Sequence, residues 1–244
     1  MSNNDQVWMR KDVSENYLTG VRGAIPLANA QIDIMLRLIK SARGKKINTI
    51  LDLGCGDGIL GQAVLNDYPD ATGVFLDFSQ PMLANARQQL AGQDKRVFID
   101  CDYGDPAWTK TLSDHAPFDV IVSGFSIHHQ PDDRKQRIYR EIFELLSPNG
   151  IFLNLEHVSS PTEWLESQFD DLMVDALYQY ARANNNNSTR QQFAQDYHAR
   201  PDDTANILAP VETQLDWLRD IGFQQVDCYF KVFELALFGG IRAE

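Results

Sequence analysis

The chain has 244 residues, 43% of them hydrophobic, which suits one α/β domain with an added subdomain and a substantial core. Its formal net charge of −12 argues against general nucleic-acid binding, because a phosphate backbone would be repelled. No apolar run reaches the roughly 20 residues that span a bilayer, and Met1 to Arg10 lacks the apolar core of a signal peptide, so a cytoplasmic location is expected. Cys55, Cys101 and Cys228 are odd in number, suit a reducing compartment and have no metal-site spacing. In chain order, Tyr17 to Pro26 reads as a loop or short helix containing two glycines. Ile32, Ile34, Met35, Leu36, Leu38 and Ile39 then predict a helix ending at Ala42-Arg43-Gly44.

The next stretch, Asn48 to Gly61, organises the chain. Ile50, Leu51 and Leu53 form a buried strand, Gly54, Gly56 and Gly58 break it at every second position, and a helix follows. Strand, glycine turn and helix open a nucleotide-binding βαβ unit. A diphosphate there needs bare amides and the positive helix end. Here Asp57 falls where the N-cap should be, and Asp52 precedes the turn, so the loop suits a cation better. S-adenosylmethionine carries a sulfonium and an ammonium beside its nucleoside and fits better than a dinucleotide. Asp52-x-Gly54-x-Gly56-x-Gly58 resembles the first motif of the class I S-adenosylmethionine-dependent methyltransferases. With that cofactor, Tyr17 and Arg22 could close over it, Arg22 forking onto its carboxylate; a packing tyrosine and a surface arginine explain them equally well.

The second strand, Val74 to Leu76, ends in Asp77, about 20 residues beyond the glycines, where an acid grips ribose hydroxyls. Phe78 can lie on the adenine face and Met82, with Leu83, can support that wall from a helix spanning Pro81 to Ala91. The third strand, Arg96 to Ile99, runs into Asp100-Cys101-Asp102-Tyr103. The resemblance implies an acid here accepting from the adenine amino group; Asp102 matches, Asp100 competes, and Tyr103 flanks the ring.

The fourth strand, Phe118 to Ser123, leads into Gly124-Phe125-Ser126-Ile127-His128-His129-Gln130-Pro131, which resembles the fourth motif of the same family. That likeness implies that Ser123, Gly124 and Phe125 line the methionine part of the cofactor. His128 and His129 are adjacent, so one of them is expected to face the site; His128 is the candidate general base, with a structural role as its alternative. No metal ligand set is expected. A helix over 132–147, a turn at Ser147-Pro148-Asn149-Gly150 and a fifth strand, Ile151 to His157, follow, with Glu156 and His157 at the ligand-binding rim.

Residues 159–209 form an insertion with Trp164, Leu165, Phe169, Leu172, Met173 and Leu177 at helical spacing, a polar run at Ala183 to Ser188, and a second helix near Gln191 to His198. It reads as a lid for the acceptor, as a homodimer face, or as plain core. The end of the chain predicts a helix from Val211 that ends at Ile221-Gly222-Phe223 and two antiparallel strands, Val226 to Phe230 and Phe233 to Ile241.

The resemblance implies a Rossmann-like, doubly wound α/β fold: a seven-stranded sheet, mostly parallel with one antiparallel strand, plus N-terminal helices and a helical lid. The expected organisation is one domain over 1–244, with a cap at 1–46, a core at 47–158 and 210–244, and the lid at 159–209. The cofactor is expected to lie on Tyr17, Arg22, Asp52, Gly54, Cys55, Gly56, Asp77, Phe78, Met82, Asp102, Tyr103, Ser123, Gly124 and Phe125. The expected reaction is in-line attack by a small-molecule acceptor on the sulfonium methyl. A narrower likeness, at Arg22 to Pro26, Val211-Glu212-Thr213 and Ile221-Gly222-Phe223, is to carboxy-S-adenosylmethionine synthase. It implies an arginine holding a new carboxylate, for which Arg200 is the nearest match. A cofactor-binding partner subunit is the non-enzyme alternative.

Overall fold

The computed structural model describes residues 8, 10, 13, 22–44 and 46–243; Tyr17 and the side chain of Arg22 lie outside the described residues. Helix α1 (Ala28–Arg43) is stopped by Gly44, whose N–H donates to the Lys40 carbonyl. Then come β1 (Thr49–Leu53), α2 (Ile59–Asp67), β2 (Thr72–Asp77), α3 (Gln80–Gln89), β3 (Arg96–Asp100) and β4 (Phe118–Gly124). The chain continues with α4 (Asp132–Leu145), β5 (Leu146–His157), α5 (Glu163–Ala183), α6 (Arg190–His198), α7 (Val211–Ile221), β6 (Phe223–Val232) and β7 (Leu235–Arg242).

The seven strands form one sheet in the order β3-β2-β1-β4-β5-β7-β6. Only β7 is reversed, antiparallel to both β5 and β6. The strand order changes direction between β1 and β4, the place where open α/β sheets bind ligands. Strand alternation feeds two cores. Leu51, Leu76, Ile121 and Phe152 pack against α4 and α7 on one face. Their neighbours Ile50, Phe75, Val120 and Leu153 pack against α1 and α2 on the other. Strands buried on both sides read as continuous apolar runs, which is why the β1, β2 and β4 segments were legible.

The boundary of β5 differs from expectation. It starts at Leu146, and the predicted turn at 147–150 is an irregularity within it: Phe118 pairs with Leu146, but Val120 pairs with Ile151. Asn149 takes the left-handed conformation there (φ 62°), so the turn chemistry survives as a bulge. Of the last two strands, β6 extends beyond its predicted segment at both ends, whereas β7 starts at Leu235, two residues later than expected, and ends one residue later.

In the insertion, Thr162 and Thr189 cap α5 and α6, the latter in a capping box with Gln192. Phe169, Met173 and Val174 of α5 pack with Tyr197 and Leu235 in a third, smaller core over the carboxyl ends of the strands. No helix among the described residues is long and apolar enough to cross a membrane.

Candidate active site

The turn between β1 and α2 is tied to β2: the N–H groups of Gly54 and Cys55 both donate to the Leu76 carbonyl, at 2.8 and 3.0 Å. Gly54 and Gly56 are left-handed (φ 65° and 54°). A Cβ on Gly54 would run into Ser126 Oγ, whereas one on Gly56 would meet nothing within 4 Å. The N-cap of α2 is Gly58, not Asp57 as expected; Asp57 still accepts from the Ile59 N–H at 3.3 Å. Asp52 is buried, and its Oδ2 accepts from the Gly61 N–H at 2.7 Å, so it straps α2 to β1 rather than facing the turn.

Asp77 ends β2 opposite the glycines. Its Oδ2 accepts from the Gly56 N–H at 2.9 Å and its Oδ1 from the Ser79 N–H at 2.8 Å. Burial nevertheless pushes its carboxyl up to about 6, outweighing those backbone donors. Burial, then the charges of Asp77, Asp52 and Asp57, pushes the Cys55 thiol well up, so it is not a nucleophile.

A narrow crevice of about 60 Å³ lies at this turn. Gly54, Cys55, Gly56, Asp77, Phe78 and Met82 line one side of it. Tyr103, Gly124 and Phe125 line the other, with Tyr103 Oη 2.6 Å from Ser126 Oγ. Nine expected residues therefore converge. Three others do not border the crevice. Asp52 is the strap just described. Ser123 is buried and donates to the Leu53 carbonyl at 2.8 Å, locking β4 to β1. Asp102 turns back to accept from the Gly104 N–H at 2.7 Å, and its competitor Asp100 meets Gln80 Nε2.

Beside the crevice, with Trp8, Phe125 and His129 as a shared wall, lies a cavity of about 600 Å³. Phe169, Met173, Leu177 and Phe193 of the insertion make its apolar side. Both adjacent histidines border it, contrary to the expectation of one. They sit in a 3₁₀ turn, Ile127–His129, which puts their rings 3.9 Å apart. His128 Nδ1 lies 2.5 Å from Glu156 Oε1. The His128 backbone N–H donates to Glu156 Oε2 at 3.1 Å, and Asn206 hydrogen-bonds the His128 side chain. Burial, then the neighbouring His157 and Lys135, holds His128 well below the usual histidine range. Burial pushes Glu156 up to about 7 against the donors His157 N–H and Asn154 Nδ2. His129 Nδ1–H donates to the Ala205 carbonyl at 3.2 Å, and burial beside His128 likewise keeps it neutral.

Sequence reasoning did not find Glu234, whose Oε2 lies 2.7 Å from His157 Nε2, nor Trp8, whose carbonyl accepts from Ser79 Oγ at 2.8 Å. An acid at the second position of the predicted last strand, Phe233 to Ile241, was the available signal for Glu234. Among the described residues, no group of three or more His, Cys, Asp or Glu is placed to hold a metal ion.

The sheet order with its single reversed strand, and an acid facing a glycine turn, make a Rossmann-like α/β fold whose layout is that of solved methyltransferase structures. Comparisons with known proteins agree. Residues 51–152 match a family described as a methyltransferase domain. The chain is 22% identical over 229 residues to carboxy-S-adenosyl-L-methionine synthase of Pasteurella multocida, covering 91% of this chain and 88% of that one. It is 31% identical over 117 residues to demethylmenaquinone methyltransferase of Leptospira interrogans, covering 48% and 45%. Among solved structures, the CurJ carbon methyltransferase superposes with a TM-score of 0.66 at 16% identity, over the whole of this chain and 62% of that one.

Proposed function

We propose that the chain transfers the methyl group of S-adenosylmethionine to a hydroxyl oxygen of a small molecule seated in the 600 Å³ cavity. The supporting observation is the His128–Glu156 pair on that cavity, next to the glycine crevice. When bound, the cofactor supplies an electrophilic methyl carbon on a positively charged sulfur that leaves as a neutral thioether. Asp77 would accept from ribose hydroxyls, Phe78 and Met82 would flank the base, and Gly54 to Gly56 would let the ligand approach the backbone. Open space above Gly56 and, among the described residues, the absence of a Lys or Arg side chain from the crevice lining suit a cationic adenosyl compound. The ionised form of Glu156 holds a proton on His128 Nδ1, so the Nε2 lone pair is the one that Asn206, which hydrogen-bonds this ring, would yield to the acceptor. Nε2 would take the acceptor's hydroxyl proton as its oxygen bonds to carbon. Phe125, His129 and Trp8 would separate the two chambers and exclude water.

The experiment is transfer of a labelled methyl from S-adenosylmethionine to a panel of small phenols by the purified chain. Loss of transfer in His128→Ala, with cofactor affinity kept, supports the reading. Transfer unaffected by that substitution would overturn the base assignment.

A second reading follows from similarity over 88% of the carboxy-S-adenosyl-L-methionine synthase chain. In it, Arg200 would hold a carboxylate at the cavity wall. Arg200 already pairs with Asp203 at 2.7 Å, donates to the Tyr197 carbonyl at 2.7 Å, and is flanked by the lining residues Asp196 and Asp202. Those engagements favour methyl transfer. Incubation with labelled cofactor and prephenate separates the two, because only the synthase makes a carboxylated cofactor. An open cavity also disfavours an inactive partner subunit. The whole chain would work as one domain in the cytoplasm, α5 and α6 acting as the acceptor lid. Trp164, 68% exposed at the start of α5, makes that lid the candidate homodimer face, to be checked by light scattering.

A further inference from the structure

The cavity has a second histidine held by a second acid. His157 closes β5, and register pairs it with Leu235 at the start of β7. That places Glu234, the residue before Leu235, against the imidazole: Oε2 lies 2.7 Å from Nε2, and Glu234 is 4% exposed. Its backbone is fixed as well, since the Val158 N–H donates to the Glu234 carbonyl at 2.8 Å. With Nε2 engaged, Nδ1 is the ring nitrogen of His157 left for a ligand, and His157 borders the cavity. The rings of His157 and His128 stand edge to face, 5.7 Å between centroids, and Phe169 packs 5.2 Å from His157. Both rings border the cavity, so one molecule seated there can meet the two of them.

We propose that His157, oriented by Glu234, is a positioning residue that selects acceptors carrying a second oxygen on the carbon adjacent to the methylated one. The acceptor class is then a neutral aromatic compound with vicinal hydroxyls, the second of which donates to His157 Nδ1. Neutrality follows from the wall charges: Asp196 and Asp202 line the cavity, and Arg200 is already paired with Asp203. The aromatic body follows from Phe125, Phe169 and Phe193. This rests on the methyl-transfer reading for which oxygen reacts, but the selection itself is a binding property and is measured without turnover.

The test is calorimetry of the chain loaded with S-adenosylhomocysteine, using 2,3-dihydroxynaphthalene and 2-naphthol as probes. The diol should bind about tenfold more tightly than the single hydroxyl, the value of one good hydrogen bond to an oriented imidazole. In His157→Ala the ratio should fall to about one with S-adenosylhomocysteine affinity unchanged; His157→Gln, which keeps a polar partner, should retain part of it. Where methyl transfer to the diol is measured, His157→Ala should raise KM more than it lowers kcat. Equal affinities for the two probes, no binding of either, or a ratio kept in both variants would overturn the assignment. A preference for the diol in the unaltered chain that His157→Ala abolishes, without methyl transfer to either probe, would sustain it while counting against the proposed reaction; equal transfer to equally bound probes would do the reverse.

Discussion

His128 Nδ1 stands 2.5 Å from Glu156 Oε1, with both side chains buried. One residue comes from the 3₁₀ turn after β4 and the other from the end of β5, 28 positions later. Glu156 also accepts from the backbone N–H groups of His128 and His157 and from Asn154 Nδ2. An acid so surrounded orients the imidazole rather than reacting itself.

His128→Ala should lower kcat about 10²–10⁴-fold, the usual contribution of a positioned base. Glu156→Gln keeps an acceptor for Nδ1–H and should cost less, about tenfold to a hundredfold, chiefly by losing the charge that stabilises the imidazolium. Steady-state kinetics of the two variants checks the order; a larger loss in Glu156→Gln would mean that His128 is not the proton acceptor.

The pH dependence of cofactor affinity should follow Asp77. Its carboxyl lies at about 6 in the fold against 3.8 when unfolded. A raised acid binds more protons folded than unfolded, so its contribution to the stability of the ligand-free fold is present below pH 3.8 and is lost as pH rises to about 6. A ligand donating hydroxyls prefers the ionised form. Affinity for S-adenosylhomocysteine should therefore rise from pH 5 to pH 7 with release of a proton, measurable by calorimetry in two buffers of different ionisation enthalpy. Asp77→Ala should lose most of the binding and flatten that profile.

The glycines of the turn separate stability from binding. Gly54→Ala drives a methyl into Ser126 Oγ at a positive φ, and should destabilise the fold by about 2–4 kcal/mol in urea melts. Gly56→Ala meets open space and should cost only about 1 kcal/mol of φ strain. Its methyl would instead occupy the crevice, so cofactor affinity should fall by more than stability does.

Trp8 should move when the cofactor binds. The crevice holds about 60 Å³, whereas sites for ligands of this size run to about 300–1,000 Å³. Trp8 lines it with its ring 5.4 Å from that of His129. Tryptophan fluorescence should change on titration with S-adenosylhomocysteine, and the change should disappear in Trp8→Phe. An unchanged signal in that variant would place the rearrangement elsewhere.

Much of this was legible without coordinates because it is local. Continuous apolar runs, the glycines at 54, 56 and 58, and Asp77 at a strand end are encoded in short segments, and short segments set strands, turns and the residues at strand tips. From these, and from what the resemblance they carry implies, came the sheet with one reversed strand, the glycine crevice and nine of its lining residues. What the tertiary structure alone decided depends on side-chain direction and on contacts distant in sequence. Asp52, Asp102 and Ser123 have the right chemistry at nearly the right positions, but backbone N–H and C=O groups that need partners already claim them. The pairing of His157 with Glu234 spans 77 residues and exists only because β7 runs antiparallel to β5. Register across a sheet, unlike periodicity along a strand, is set by the closure of the whole core.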